Sequence, residues 1–155
     1  MRVGLGYDAH RLVPDRPLIL GGVTIPSDLG ILGHSDGDVL CHAIADALLG
    51  AVALGDLGGY FPSDDSEIEG ISSLKILEEI WDKITHKQYR LGNIDSTIIL
   101  QSPQIGTWIP EMRRNLATVF SAETDQISIK ATTTDHLGFP GRHEGIAAQA
   151  AALLV

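Results

Sequence analysis

Hydrophobic residues recur along this chain with two different periods, and each change of period marks a predicted element. Alternating or β-branched apolar runs are typical of strands, because successive strand side chains point to opposite faces of a sheet. Two short apolar runs on either side of Gly21 and Gly22 predict a tight hairpin. The predicted strands span residues 2–10, 91–101 and 127–134, and the hairpin spans 17–25.

Apolar residues spaced three and four apart predict three helices. The first opens at Asp36 and Asp38, whose carboxylates suit the positive end of a helix dipole. The last starts at Pro110, a residue that suits the first helical turn because it lacks an N–H. The predicted helices span residues 36–54, 72–87 and 109–120.

Three segments lie outside these elements: a loop over residues 30–37, a long loop over 55–70 and a C-terminal run over 145–155. Long irregular segments inside a domain are often functional. The alanines of the C-terminal run favour a helix, but a buried strand has a similar composition, and the pattern leaves both open. The order of elements predicts a single α/β domain over residues 1–155, a two-layer sandwich of the α+β type with helices on one face of a mixed sheet.

The net charge of −9, with no Lys/Arg-rich run, argues against nucleic acid or an anionic membrane as the main partner. Cys41 is the single cysteine, so no intrachain disulfide is expected. The chain shows no signal peptide pattern and no apolar run approaching ~18 residues. We therefore expect a cytoplasmic protein, or one that works inside an organelle such as a plastid after processing.

Three residues are candidate ligands of one divalent metal. Asp8 and His10 are two apart on the first predicted strand, so both side chains leave the same face. His42 lies on the first predicted helix and would complete a three-ligand site, which suits zinc and leaves a fourth position for substrate. The alternatives are a strand-end hydrogen bond for the Asp-x-His pair and a buried core histidine for His42.

The segment from His34 to Asp38 enters the first helix, where backbone amides and the helix dipole favour a phosphate. Ser35 and Asp36 could instead cap the helix, and His34 either donates to a phosphate or is an exposed loop residue. Asp38 is four residues before His42 and could orient its imidazole, or it could be a solvated residue on that helix face.

The strand end over residues 130–135 places Thr132 and Thr133 beside Asp135. Hydroxyls, a carboxylate and a nearby lysine favour a phosphate and a second metal. Threonine is also an ordinary strand residue, so a purely structural interpretation stays open.

In combination, these motifs resemble the family of 2-C-methyl-D-erythritol 2,4-cyclodiphosphate synthases, the cyclising enzymes of the non-mevalonate isoprenoid pathway. The resemblance covers essentially the whole chain. It rests on Gly-Tyr-Asp-Ala-His at 6–10, Gly-His-Ser-Asp-Gly-Asp-Val at 33–39, Ala-Leu-Gly-Asp-Leu-Gly at 53–58, Tyr-Phe-Pro at 60–62, Leu-Gly-Asn-Ile-Asp at 91–95, Lys-Ala-Thr-Thr-Thr at 130–134 and Gly-Phe-Pro-Gly-Arg-x-Glu-Gly at 138–145.

The resemblance implies a homotrimer with a four-stranded sheet per subunit, helices on its outer side and active sites between subunits. It implies a strand for the C-terminal run. The implied substrate is 4-diphosphocytidyl-2-C-methyl-D-erythritol 2-phosphate, whose 2-phosphate attacks the β-phosphorus, releases CMP and closes a cyclic diphosphate. The implied cofactors are zinc at Asp8, His10 and His42, and magnesium or manganese at Asp135 with the substrate diphosphate.

Carried over residue by residue, the resemblance also implies the substrate contacts. His34 and Thr133 are the expected catalytic residues. Tyr7, Phe139, Arg142 and Glu144 resemble the lining of a channel along the trimer axis that accepts an isoprenoid diphosphate in some members. The expected substrate-binding residues are Asp8, His10, His34, Ser35, Asp56, Gly58, Phe61, Asp65, Leu100, Ile105, Ala131, Thr132, Thr133, Phe139 and Arg142.

The chain departs from the family pattern at two positions. Ser63 stands where the family often has Asp, and Asp135 stands where Glu is common. Two other functions compete with the cyclase: a metal-dependent phosphohydrolase that delivers water, and a non-catalytic trimeric binding module that uses the metal for structure.

Overall fold

A mixed β-sheet forms the centre of the molecule. The computed structural model describes residues 1–62 and 69–155, and within them the sheet has five strands in the order β4-β1-β7-β5-β6. β7 runs antiparallel to both β1 and β5, and β5 runs parallel to β6. The strands are β1 (Arg2–Val13), β4 (Gly30–Ile31), β5 (Leu91–Ile99), β6 (Ile127–Thr132) and β7 (Gly145–Leu154).

The hairpin is a separate two-stranded element, β2 (Leu18–Leu20) with β3 (Val23–Ile25). Gly21 and Gly22, with φ of 55° and 72°, form its two-residue turn. Positive φ at both turn positions matches the right-handed twist of the paired strands, which explains why glycine occupies both. The predicted hairpin is confirmed.

Helices cover one face of the sheet. The helix α1 (Val39–Ala51) packs on β1 and β7, and α3 (Ser73–His86) packs on α1. Nearly every residue of α1 is buried, because the sheet lies on one side of it and α3 on the other. The remaining helices are α2 (Leu57–Tyr60), α4 (Ile109–Phe120) and α5 (Gly138–Gly141).

The sheet differs from the four strands that the resemblance implied. β1 continues three residues past its predicted end, and Leu12 and Val13 pair with Ile31 and Gly30 to add the two-residue strand β4. The first helix is also shorter than predicted: it begins at Val39, and Asp36 lies outside it. The two-layer α/β arrangement itself is confirmed.

The C-terminal run is a strand despite its alanines, as the resemblance implied. β7 pairs with β1 on one side and β5 on the other, so hydrogen bonds to two neighbours override the helix propensity of alanine. Small residues also let α1 approach the sheet closely. A Cβ added to Gly4 or Gly6 would lie 1.9 Å from a carbonyl oxygen of α1.

The other face of the sheet is open in the single chain. Val3, Leu5 and Tyr7 of β1 point there and are 69%, 78% and 54% exposed. An apolar stripe of this kind is typical of a surface that a partner covers. Among the described residues, none of the helices has the length and apolar character that crossing a membrane requires.

Candidate active site

Asp8, His10 and His42 converge on one point near the N-terminal end of α1. Oδ2 of Asp8 lies 2.9 Å from Nε2 of His10 and 2.9 Å from Nδ1 of His42, and the two ring nitrogens are 3.1 Å apart. β1 supplies the first two side chains on one face, and α1, packed against that face, supplies the third. We call these three atoms the ligand triangle.

The ligand triangle fits a divalent metal. In tetrahedral zinc sites with bonds of ~2.0–2.1 Å, neighbouring ligand atoms are about 3.3 Å apart, only slightly more than the edges seen here. Side-chain exposure of 10% to 26% leaves one side of the triangle accessible. One carboxylate and two imidazoles are donors that a divalent metal such as zinc accepts.

The ring of His10 is oriented with Nε2 facing Asp8 and His42. Its Nδ1–H donates to the carbonyl oxygen of Leu32 at 3.0 Å, and a carbonyl can only accept. The proton of a neutral ring is therefore on Nδ1, which leaves the lone pair of Nε2 for a metal. The ring of His42 is turned the other way, with Nδ1 in the triangle and Nε2 near the hydroxyls of Ser35 and Ser73.

Contacts within the triangle shift the pKa values of Asp8 and His10. Burial raises the pKa of Asp8, but hydrogen bonds from His10 and His42 outweigh it, so the pKa lies well below its ordinary value. Burial lowers the pKa of His10, but the hydrogen bond to the Asp8 carboxylate outweighs this, and the pKa is raised. Asp8 is thus an anionic ligand at neutral pH, as metal binding requires.

Asp38 does not orient His42, so that hypothesis is wrong. Its side chain is fully buried and caps α1, with Oδ1 accepting from Cys41 N–H at 3.1 Å. Oδ2 accepts from Gly22 N–H at 2.8 Å, which ties the hairpin to the start of the helix. Burial raises the pKa of Asp38. Cys41 is a buried thiol, and its Sγ–H donates to the same carboxylate.

Ser35 and Asp36 are not the α1 cap either. The hydroxyl oxygen of Ser35 accepts from Gly37 N–H at 3.2 Å and lies 3.1 Å from Nε2 of His42. Asp36 reaches instead to Ser73 at the start of α3. His34 is in the same loop, and its carbonyl oxygen accepts from Gly70 N–H at 2.9 Å.

The segment around α2 is anchored to α1. Asp56 caps α2 by accepting from Gly59 N–H at 2.9 Å, and Leu57 N–H donates to Asp46 of α1 at 2.7 Å. Burial raises the pKa of Asp46. Gly58 lies within α2, and Phe61 ends it and packs partly against the core. Asp65 and Ser63 lie outside the described residues.

Five of the expected substrate-binding residues line one cleft. Leu100 and Ile105 are buried beside Ala131, Thr132 and Thr133, and with their neighbours they line a cleft of about 470 Å³. β5 and β6 are parallel neighbours, so both strand ends open at the same edge, where ligands commonly bind. Asp135 is two residues after Thr133 and has a left-handed φ of 52°. Its N–H donates to Oγ1 of Thr133 at 3.2 Å.

The chain matches one protein family over its whole length. The model of the YgbB family matches residues 1–155. The chain belongs to the YgbB family. A relative from Clostridioides difficile (strain 630) is named 2-C-methyl-D-erythritol 2,4-cyclodiphosphate synthase and is 56% identical over 155 residues, which cover 100% of this chain and 96% of the relative.

Solved structures related to the YgbB chain share its fold. The bifunctional IspDF from Campylobacter jejuni gives a TM-score of 0.95 at 39% identity, covering 99% of this chain and 42% of that one. IspF from Plasmodium falciparum, described as a CDP complex, gives a TM-score of 0.87 at 35% identity, covering 99% of this chain and 95% of that one. The chain therefore corresponds to less than half of the bifunctional protein.

Within one YgbB chain, the ligand triangle and the cleft share an end of the sheet but are not adjacent. Register places Ala9, Ala147, Ile99 and Thr132 side by side in one row across four strands. Three strand spacings of about 4.8 Å separate the ends of that row by roughly 14 Å. The structure therefore does not bring the two sets of predicted residues into one pocket of a single chain.

Phe139 lies on the open side of the sheet, near its end. Phe139 and Tyr7 line a cavity of about 480 Å³. Arg142 makes two parallel hydrogen bonds of 3.0 Å with the carboxylate of Glu144. The hydrogen bonds between these two side chains are the main reason that the pKa of Arg142 is raised and the pKa of Glu144 is lowered.

Sequence reasoning missed three contributors to the site. The carbonyl oxygen of Leu32 accepts from His10, and the hydroxyl of Ser73 lies beside the ring of His42. The carboxylate of Asp46 accepts from the N–H of Leu57, after α1. The first is a backbone atom, which no sequence pattern reveals. Ser73 looks like an ordinary residue at the start of a helix. Only Asp46, four residues after His42, gave a signal, because that spacing places both on one helix face.

Proposed function

We propose that this chain is a 2-C-methyl-D-erythritol 2,4-cyclodiphosphate synthase. It converts 4-diphosphocytidyl-2-C-methyl-D-erythritol 2-phosphate into the cyclic diphosphate and CMP, in the non-mevalonate isoprenoid pathway. The observation that carries the proposal is the open ligand triangle of Asp8, His10 and His42 in a chain whose relatives, matched over nearly their whole length, bear this name. Because those relatives are bacterial, we place the activity in the bacterial cytoplasm.

The reaction joins two groups that repel each other. The attacking 2-phosphate is already anionic, so the protein does not need a side chain to remove a proton from it. When bound, zinc at the ligand triangle and magnesium or manganese at Asp135 would neutralise this charge and align the two phosphates. The chain itself, with a net charge of −9, then chiefly positions the substrate.

Each part of the substrate is assigned to residues of this chain. His34 and Ser35 hold the phosphate at the start of α1, where the helix dipole assists. Asp56, Gly58, Phe61 and Asp65 hold the erythritol portion. The cleft lined by Leu100, Ile105, Ala131, Thr132 and Thr133 holds the cytidine diphosphate, and the CDP complex of the Plasmodium relative supports a nucleotide ligand. His34 and Thr133 are assigned as the catalytic residues that stabilise the developing charge.

The active form is assigned as a homotrimer with active sites between subunits. Two observations support this assembly. The stripe of Val3, Leu5 and Tyr7 is too exposed and apolar for an isolated surface. Within one chain, the ligand triangle and the cleft do not form one pocket. A neighbouring copy would bring its own cleft beside the triangle. Phe139 and Arg142 then lie near the trimer axis.

A second candidate function is a serine hydrolase in the metal-free protein. The observation in its favour is the order Ser35, His42, Asp8, with Oγ–Nε2 and Nδ1–Oδ2 distances of 3.1 and 2.9 Å, which resembles a catalytic triad. The two functions use the same nitrogen of His42 differently, because a metal on Nδ1 excludes its hydrogen bond to Asp8. Hydrolysis of a nitrophenyl ester by metal-free protein but not by Ser35→Ala would favour the hydrolase.

Phosphorus NMR tests the main proposal. Purified protein is incubated with the diphosphocytidyl substrate, zinc and magnesium, and metal-stripped protein serves as the control. We expect the cyclic diphosphate together with CMP. A linear product would identify a phosphohydrolase, and no turnover with measured zinc bound would identify a binding module; either result would overturn the cyclase.

A further inference from the structure

The Nε2 atom of His42 points away from the ligand triangle and meets two hydroxyl groups. Oγ of Ser35 and Oγ of Ser73 each lie 3.1 Å from it. With a metal bound to Nδ1, a neutral His42 would carry its proton on Nε2 and would donate that proton to a hydroxyl oxygen. The ring has one proton to give, so the two hydroxyls compete for it.

Asp36 distinguishes the two hydroxyls. Its Oδ1 accepts the hydroxyl proton of Ser73 in a short hydrogen bond, and its Oδ2 accepts Ser73 N–H at 2.9 Å. A hydroxyl that gives its proton to a carboxylate turns its lone pairs toward His42, and the charge strengthens this chain of bonds. Oγ of Ser35, in contrast, already accepts from Gly37 N–H. Ser73 is therefore the better acceptor.

We infer that Asp36 and Ser73 form a positioning pair that fixes the ring of His42 and its proton, and thereby sets the metal affinity of the ligand triangle. The inference rests on the proposed metal site and adds two residues that themselves bind neither metal nor substrate. Ser73 is fully buried at the start of α3. The pair thus connects α3 to a ligand carried by α1.

The two histidines differ in how their outer nitrogens are held. His10 relies on the backbone carbonyl of Leu32, which no substitution removes. His42 relies on side chains, so its support can be altered without touching a ligand. This difference makes the pair testable: removing the hydroxyl of Ser73 leaves all three ligands and the backbone bond from residue 73 to Asp36 in place.

Zinc affinity, measured on the full-length protein by competition with a chromophoric chelator, tests the pair. Ser73→Ala removes the hydroxyl but keeps the N–H that Asp36 accepts, so the start of α3 stays capped. We expect zinc binding about 10–100-fold weaker, the usual cost of losing the partner of a ligating histidine. Ser72→Ala is the matched control, because the neighbouring Ser72 makes no side-chain capping hydrogen bond. The Ser72→Ala variant should bind zinc with the same affinity as the wild type.

A second readout separates a positioning role from a structural one. The visible absorption of bound cobalt reports ligand geometry, and we expect it to change in Ser73→Ala and not in Ser72→Ala. Lower thermal stability of Ser73→Ala with unchanged zinc affinity and cobalt spectrum would mean that the pair only stabilises α3, and would overturn the inference.

Asp36→Asn keeps the test decisive if Ser73→Ala does not fold. It removes the charge while keeping one acceptor oxygen, and we expect weaker zinc binding than in the wild type; unchanged affinity would overturn the inference. A different result would disprove the proposed metal site itself. If wild-type protein takes up no zinc at equimolar concentration, the ligand triangle is not a metal site and the inference falls with it.

Discussion

Oδ1 of Asp46 accepts a hydrogen bond of 2.7 Å from the backbone N–H of Leu57, which ties the start of α2 to α1 one turn beyond His42. Asp56, the cap of α2, is therefore held by the same helix that carries His42, one of the three proposed metal ligands. The proposed erythritol contacts and the metal site are thus positioned through one rigid element.

Asp46→Ala tests this connection. Release of Leu57 should displace the α2 segment and lower kcat/KM by about 10–100-fold, the scale expected for misplaced substrate contacts. Zinc content should not change, because Asp46 is not a ligand. Asp46→Asn keeps an acceptor oxygen and should retain most of the activity. Wild-type kinetics of the Ala variant, followed by CMP release, would refute this role.

Gly6→Ala should damage both stability and metal binding. An added Cβ would lie 1.9 Å from the carbonyl oxygen of Ala43, so α1 must move away from β1 and carry His42 with it. We expect a loss of about 1–3 kcal/mol in the free energy of unfolding, together with weaker zinc binding. Gly50→Ala, where a Cβ meets no atom within 4 Å, is the control and should gain up to ~1 kcal/mol. Urea denaturation and zinc titration measure both effects.

Asp38→Asn should destabilise the protein although it removes a buried charge. Both carboxylate oxygens accept hydrogen bonds, from Cys41 N–H on one side and Gly22 N–H on the other. An amide NH₂ would face a donor in either orientation, which costs about 1–3 kcal/mol. Asp28→Asn, on an exposed loop, is the matched substitution and should be neutral by urea denaturation.

The pH dependence of the Asp38 effect follows from the raised pKa of that carboxyl group, which burial causes. The folded state binds its proton more tightly than the unfolded chain, whose Asp pKa is about 3.9. This contribution to stability is full below the unfolded pKa and is lost as pH rises through the folded pKa. The advantage of wild type over Asp38→Asn should shrink across that window; an advantage that grows with pH would contradict the assignment.

His42→Ala should strongly lower zinc content and activity. Loss of a ligand should cost more than the ~10–100-fold that loss of a ligand's own hydrogen-bond partner costs. The proposed trimer should persist, because the exposed stripe of β1 is on the opposite face of the sheet. His86→Ala, on the exposed surface of α3, is the control. Full activity of His42→Ala protein with no bound metal would show that the activity does not depend on zinc at Asp8, His10 and His42.

Asp135→Asn should raise the magnesium concentration needed for half-maximal activity and leave zinc content unchanged. Asparagine tolerates the left-handed φ of 52° at this position, so only the charge is removed. Asp125→Asn, in the exposed turn before β6, controls for net charge. An unchanged magnesium titration would show that Asp135 does not bind the second metal.

Local pattern was enough for several parts of the molecule. Strand periodicity placed Asp8 and His10 on one face, and helical spacing with Pro110 gave the third helix its observed bounds. The Gly21-Gly22 turn identified the hairpin. Each of these features depends on residues close together in the chain, where steric preference and side-chain periodicity act directly. The ordered motifs also identified the family.

Other features depended on the tertiary structure. His42 reaches Asp8 across 34 positions because Gly4 and Gly6 let α1 lie against β1. The four-residue spacing left two roles open for Asp38, orienting the imidazole of His42 or lying solvated on the helix face. Packing instead buried Asp38 against the hairpin and left Ser73 to meet the ring. The alanines of β7 became a strand only because two neighbouring strands were available to pair with it. Such contacts are decided by which surfaces pack together, and the sequence around each residue does not record that choice.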